Sequence, residues 1–161
     1  MTEAVNVAPE NQAVYSIEKL YVKDLSLEVP NAPQIFLERE APQVDVQLHH
    51  TSTRVDEGVY QTELTVTVTA KVGDKTMFLV EANQAGIFAI RNIPDADMTP
   101  ILAIANPNIL YPYAREVISD AVTRAGFPPV LLNPVNFEAL YQAQLNQEAQ
   151  NAAAAAPQVT H

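Results

Sequence analysis

Through most of the first half of the chain, apolar and polar residues alternate. Leu25, Leu27 and Val29 alternate with Asp24, Ser26 and Glu28, a period of two that gives a strand one apolar and one polar face. Pro30 and Pro33 interrupt it, and Pro42 closes a loop over 30–43. Val44, Val46 and Leu48 against Asp45, Gln47 and His49 predict a second strand, and Asp56-Glu57-Gly58 a turn. The third strand has the clearest pattern: Tyr60, Leu64, Val66, Val68 and Val72 on one face, Gln61, Glu63, Thr65, Thr67, Thr69 and Lys71 on the other. Gly73-Asp74 suits a two-residue hairpin turn, so a fourth strand is expected over 76–85.

The period then changes. Thr99-Pro100 reads as an N-cap followed by an N1 proline, opening a short helical piece that Asn106-Pro107 stops. A longer helix is expected from near Pro107 or Pro112 to Gly126, a C′ glycine. Tyr113, Val117 and Ala121 lie along one stripe of it, and Leu110, Ala114, Ile118 and Val122 widen that stripe. Phe127-Pro128-Pro129 forces an extended connection through Val130, Leu131 and Leu132. Asn136 suits the cap of a last helix bearing Phe137, Leu140, Tyr141 and Leu145 on one face. Strands first and helices after predict an α+β fold: a four-stranded antiparallel sheet, a long helix and a shorter C-terminal helix. The domain is expected over 14–147. Residues 1–13 and 148–161 are expected to be flexible tails, the second because an isolated run such as Ala152–Ala156 is marginal as a helix.

Composition narrows the chemistry. A chain of 161 residues with 48% hydrophobic and 17% charged residues suits one globular domain. The absence of cysteine removes disulfides and thiolate metal sites and fits a reducing compartment, so a cytoplasmic location is expected. The first dozen residues have neither a basic n-region nor an apolar h-region, so no secretory signal is expected, and no stretch approaches the ~18 apolar residues of a membrane span. A net charge of −10 opposes binding to nucleic acid and favours basic partners.

Catalytic motifs are not found. His49 and His50 are neighbours on a strand and point to opposite faces, and His161 lies near the C-terminus. There is no phosphate loop and no nucleophile elbow. Each of the four glycines is assigned to a turn, a bend or a cap. No carboxylate pair stands in an apolar run that would raise a pKa. A protein that is not an enzyme, with no cofactor and no metal, is therefore expected.

Three surface features remain. Asp24 and Glu28 share one face of the first strand, about 13 Å apart at strand rise, and Leu79 and Glu81 share a face of the fourth. Stacked together they make either an ordinary solvated sheet face or an acidic patch with an apolar residue inside it. Phe36, Leu37, Phe127, Val130, Leu131 and Leu132 lie in proline-flanked loops, either folded back as lids or lining a groove for apolar ligands, with the last helix as its other wall. The stripe of Tyr113, Val117 and Ala121 is either covered within one subunit or buried against a second.

The run from Tyr21 to Pro33, YVKDLSLEVPNAP, resembles the start of SecB, the family of bacterial export chaperones. The resemblance continues through Gly86-Ile87-Phe88, through Pro107 to Glu116, and through Leu132 to Phe137, covering the chain from about Val14 to Gln147. It implies a homotetramer, a dimer of dimers, that uses neither ATP nor cofactor. It implies a holdase that keeps unfolded precursor proteins competent for translocation and delivers them to the SecA ATPase. By the resemblance, the basic, zinc-bearing tail of SecA docks on Asp24, Glu28, Leu79 and Glu81. Clients are implied to lie in a groove of Phe36, Val44, Val46, Val130, Leu132, Phe137, Leu140 and Tyr141. The chain departs from many relatives before Pro42, where it reads Glu38-Arg39-Glu40-Ala41 and lacks a tryptophan. The alternatives are a SecB-like chaperone dedicated to another partner, such as an antitoxin, and a small-molecule-binding α+β domain.

Overall fold

Four antiparallel strands form one sheet in the order β1-β4-β3-β2: β1 (Val14–Glu28), β2 (Gln43–Asp56), β3 (Val59–Val72) and β4 (Lys75–Arg91). The computed structural model describes residues 11–155. Tight turns join β2, β3 and β4, with Gly58 at φ 65° and Gly73 at φ 57°, where only glycine is unstrained. The segment after β1 carries the chain from one sheet edge to the other and holds a single 3-10 turn, Gln34–Leu37, whose Ile35 is buried.

One face of the sheet is covered. Leu64, Val66, Val68 and Ala70 of β3 and Phe78, Val80, Ala82, Phe88 and Ile90 of β4 are buried beneath Leu110, Ala114, Ile118 and Val122 of α2 (Asn106–Arg124). Burying each larger side chain stabilises by roughly 1.5–3 kcal/mol. This layer is the α+β fold the alternation implied. Both β1 and β4 are longer than expected. Gly86 lies within β4 rather than at a bend: a Cβ there would stand 2.7 Å from the Phe88 ring and 3.1 Å from Leu110, so glycine lets the helix approach the sheet.

The helical half departs further from expectation. The helix begins at Asp95, after Pro94, and runs without interruption through α1 (Asp95–Pro100), a π-helical segment (Ile101–Ala105) and α2. Thr99 is thus inside a helix and is not its N-cap, and Asn106-Pro107 does not stop it. Pro107 has no N–H to donate, and the wider π turn accommodates this by moving the Asn106 N–H bond to the Ile101 carbonyl. Leu102, one of the carbonyls affected, accepts from Ser52 Oγ of β2 at 3.5 Å. The other end agrees with the glycine signal. Gly126, at φ 93°, donates to Thr123 O at 3.1 Å and Phe127 to Val122 O at 3.2 Å, the paired bonds of a Schellman motif.

Asn136 Oδ1 accepts from the Ala139 N–H at 3.0 Å and caps α3 (Phe137–Ala155). Residues 148–155, expected as part of a flexible tail, are helical. The alanines extend a helix already nucleated and capped, which avoids the initiation cost an isolated run would meet. The remaining tail residues, 1–10 and 156–161, His161 among them, lie outside the described residues.

Candidate functional site

The uncovered face of the sheet is built from rungs that cross all four strands. Glu28 pairs with Leu79, Leu79 with Thr69 and Thr69 with Asp45. The next rung is Ser26, Glu81, Thr67 and Gln47, and the third Asp24, Asn83, Thr65 and His49. Directly paired residues project to the same side. The structure therefore brings Asp24, Glu28, Leu79 and Glu81 together, with half-buried Leu79 among exposed carboxylates. Thr67 Oγ1 donates to Glu81 Oε2 at 2.7 Å. Farther along, Glu63 is bound by Lys23 at 2.9 Å and by Asn83 Nδ2 at 2.9 Å. The Lys23 bond holds the Glu63 carboxyl below the usual carboxylate range and raises the Lys23 ammonium. The patch is thus neutralised beyond the Asp24 rung. Asp45 enlarges it on the β2 side, an assignment that needs the strand register.

On the helix side, α2 covers β3 and β4 but leaves β2 open. Val44, Val46, Leu48 and His50 recur every second residue and form one wall along that edge. An open cavity of about 730 Å³ adjoins Val44 and Val46 and is lined also by Phe36, Met77, Phe78, Phe127, Val130, Leu131 and Leu132. Its lining is partly aromatic: the Phe36 and Phe127 rings stack with centroids 5.1 Å apart, and the Phe78 ring, tilted to Phe127, is also 5.1 Å from it. Glu38, which bonds Lys75 at 2.9 Å, and Glu40 stand at its rim.

Phe137, Leu140 and Tyr141 are not in that cavity. They line a second one of about 350 Å³ with Leu48, His50 and Leu64. Phe137 is itself buried, edge-on to Tyr111 at 5.9 Å, while the Tyr111 hydroxyl donates to the Asn133 carbonyl. The eight expected groove residues thus occupy two compartments joined by the β2 wall. Met77, Phe78, Leu48 and His50 were missed because their part depends on which edge the helix leaves bare. Burial, with His49 adjacent, lowers the His50 pKa.

A further apolar strip is uncovered. Ile17, Val22 and Leu25 lie on the helix side of edge strand β1, each more than two-fifths exposed (48%, 45% and 46%). On α2, Tyr113 is exposed and Val117 half-buried, whereas Ala121 is buried within the subunit. No cluster of three or more His, Asp or Glu side chains suited to a metal is found among the described residues, and none of their helices is long and apolar enough to cross a membrane.

Comparison with known proteins decides the family. The family model described as preprotein translocase subunit SecB matches residues 8–148. This chain belongs to the SecB family. The protein-export protein SecB of Nitrosospira multiformis is 60% identical over 155 residues, covering 94% of this chain and 98% of that one. That of Aromatoleum aromaticum is 64% identical over 145 residues, 89% of each chain. Among solved structures, a Mycobacterium tuberculosis SecB-like chaperone bound to a peptide from an antitoxin superposes with a TM-score of 0.63 at 16% identity, covering 75% of this chain and 90% of that one. That likeness is one of fold. The relatives named for protein export support the export reading over the antitoxin and small-molecule alternatives. The stretch before Pro42, which has no tryptophan, contributes Glu38 and Glu40 to the lining of the larger cavity.

Proposed function

We propose that this protein is an ATP-independent export chaperone that holds unfolded precursors in the cytoplasm, keeps them competent for translocation and delivers them to SecA. The observation that carries this reading is the placement of two chemically opposite surfaces on the two sides of one sheet. The apolar compartments along β2 present area without directional hydrogen bonds, which suits many unrelated client segments. Several weakly bound segments of one client gain avidity. A client that buries its own core withdraws those segments, so slow folders are retained. The acidic face, turned away from the groove, takes the basic SecA tail while a client is still bound, and its charge makes that step salt-sensitive.

The bare strip of β1 and the outer stripe of α2, with Tyr113 and Val117, support assembly with further copies into a dimer of dimers. Ala121 adds little new area there, because its own subunit already covers it. The docking half is tested by titrating the SecA C-terminal tail into the wild type and Glu81→Lys. Roughly a tenfold or greater loss of affinity is expected for Glu81→Lys. The native mass should stay at four times the 17.6 kDa chain. Equal binding by the two proteins would remove the acidic face from the mechanism.

A further inference from the structure

We propose that Thr67 is a positioning residue of the acidic face, whose hydroxyl holds the Glu81 carboxylate toward β3 and so sets its distance from Asp24 and Glu28. The inference rests on reading that face as the SecA docking surface. Thr67 and Glu81 are direct partners across the β3–β4 ladder, and the hydroxyl donates to Glu81 Oε2 at 2.7 Å. This is a charge-assisted bond on a half-buried threonine.

The reason such a bond matters is local repulsion. On its other side Glu81 pairs with Ser26, which stands between Asp24 and Glu28 on β1. Diagonal neighbours in a ladder are about 7–8 Å apart, within reach of a long side chain. A free Glu81 samples rotamers that approach or leave the β1 carboxylates, and each basic ligand must then select one. Held by Thr67, the carboxylate keeps Oε1 available for a cation and stays clear of Asp24 and Glu28. The face then presents the Asp24 and Glu28 carboxylates on β1 and the single Glu81 carboxylate on β4, with half-buried Leu79 beside Glu81. That arrangement fits a basic segment with an apolar side chain between its cations. Preorganisation of this kind improves affinity by reducing the ordering cost of binding.

The test is a titration of the assembled, full-length protein with the SecA C-terminal tail at several salt concentrations. The variants are Thr67→Val, Thr67→Ser, Glu81→Gln and the Thr67→Val/Glu81→Gln pair. Thr67→Val is expected to weaken binding about three- to tenfold. It removes no charge, so the slope of affinity against salt should match the wild type, whereas Glu81→Gln should flatten it. Thr67→Ser should restore the affinity, and the double variant should bind no worse than Glu81→Gln alone. Thr67→Ala serves as a second hydroxyl deletion if valine disturbs folding. Wild-type affinity in Thr67→Val beside a weakened Glu81→Gln overturns the positioning role and leaves the docking face standing. Losses that add in the double variant overturn it as well. Wild-type affinity in Glu81→Gln overturns the docking reading itself.

Discussion

His50 shows how one side chain couples the stability of the fold to pH. It pairs with Leu64 on the helix side of the β2–β3 ladder and lines the smaller cavity with Phe137, Leu140 and Tyr141. Burial lowers its pKa from the ordinary 6.5, with His49 adding a smaller push the same way. A lowered folded-state pKa means that the unfolded chain binds more protons once the pH falls below 6.5. The folded state therefore loses stability as the pH falls through that range toward the folded pKa. Urea midpoints at pH 7 and pH 5 should differ more for the wild type than for His50→Gln. Glu63 acts in the same direction at lower pH, because its Lys23 bond depresses its pKa and is lost when the carboxylate is protonated. An equal loss in wild type and His50→Gln between pH 7 and 5 would assign the effect to other groups.

At the scale of elements, the junction of the π segment with α2 is the structure's main buried polar contact. Asn106 is fully buried, donates from Nδ2 to Thr62 Oγ1 at 2.9 Å and accepts from the Tyr15 hydroxyl. Thr62 in turn meets Ser52 Oγ at 2.8 Å, so side chains of β1, β2, β3 and α2 join in one network. Asn106→Ala leaves Thr62 and Tyr15 without that partner and is expected to cost about 2–4 kcal/mol, read as a lower urea midpoint. Asn106→Asp keeps an acceptor for Tyr15 but buries a carboxylate with no cation beside it among the described residues, and should cost at least as much as Asn106→Ala at neutral pH. This junction also marks where sequence reading stopped. Pro107 has the ordinary signature of a helix break, and only the sheet residues that compensate for it, far off in sequence, make a continuous helix favourable. The alternation of β3 was legible because one of its faces is covered and the other is not. Before Leu25 that of β1 was not, because bulges after Ile17 and after Val22 shift its phase and its helix side is left bare. The acidic face was legible strand by strand, through Asp24 with Glu28 and Leu79 with Glu81. Its junction across strands, and the inclusion of Asp45, needed register, which pattern alone does not supply.

For the whole molecule, the chemical contrast between the two sides of the sheet, acidic on one and apolar on the other, is the feature to which the other observations attach. The helix layer covers the middle strands and leaves each edge strand partly bare, β2 beside the two apolar cavities and β1 along Ile17, Val22 and Leu25. The groove expected as one run is two compartments: Val44 and Val46 of β2 line the larger, Leu48 and His50 the smaller, and under the proposed function this strand would carry an extended client from one to the other. Placing a charge on that wall should weaken capture without disturbing the acidic face, because Val46 is 40% exposed and points to the helix side. The direct test is the refolding rate of a slow-folding precursor diluted from denaturant, without ATP, in the presence of the wild type or of Val46→Asp. The wild type should retard refolding at stoichiometric amounts and Val46→Asp several-fold less at the same concentration. A precursor that refolds at its unassisted rate in the presence of the wild type would contradict the chaperone reading.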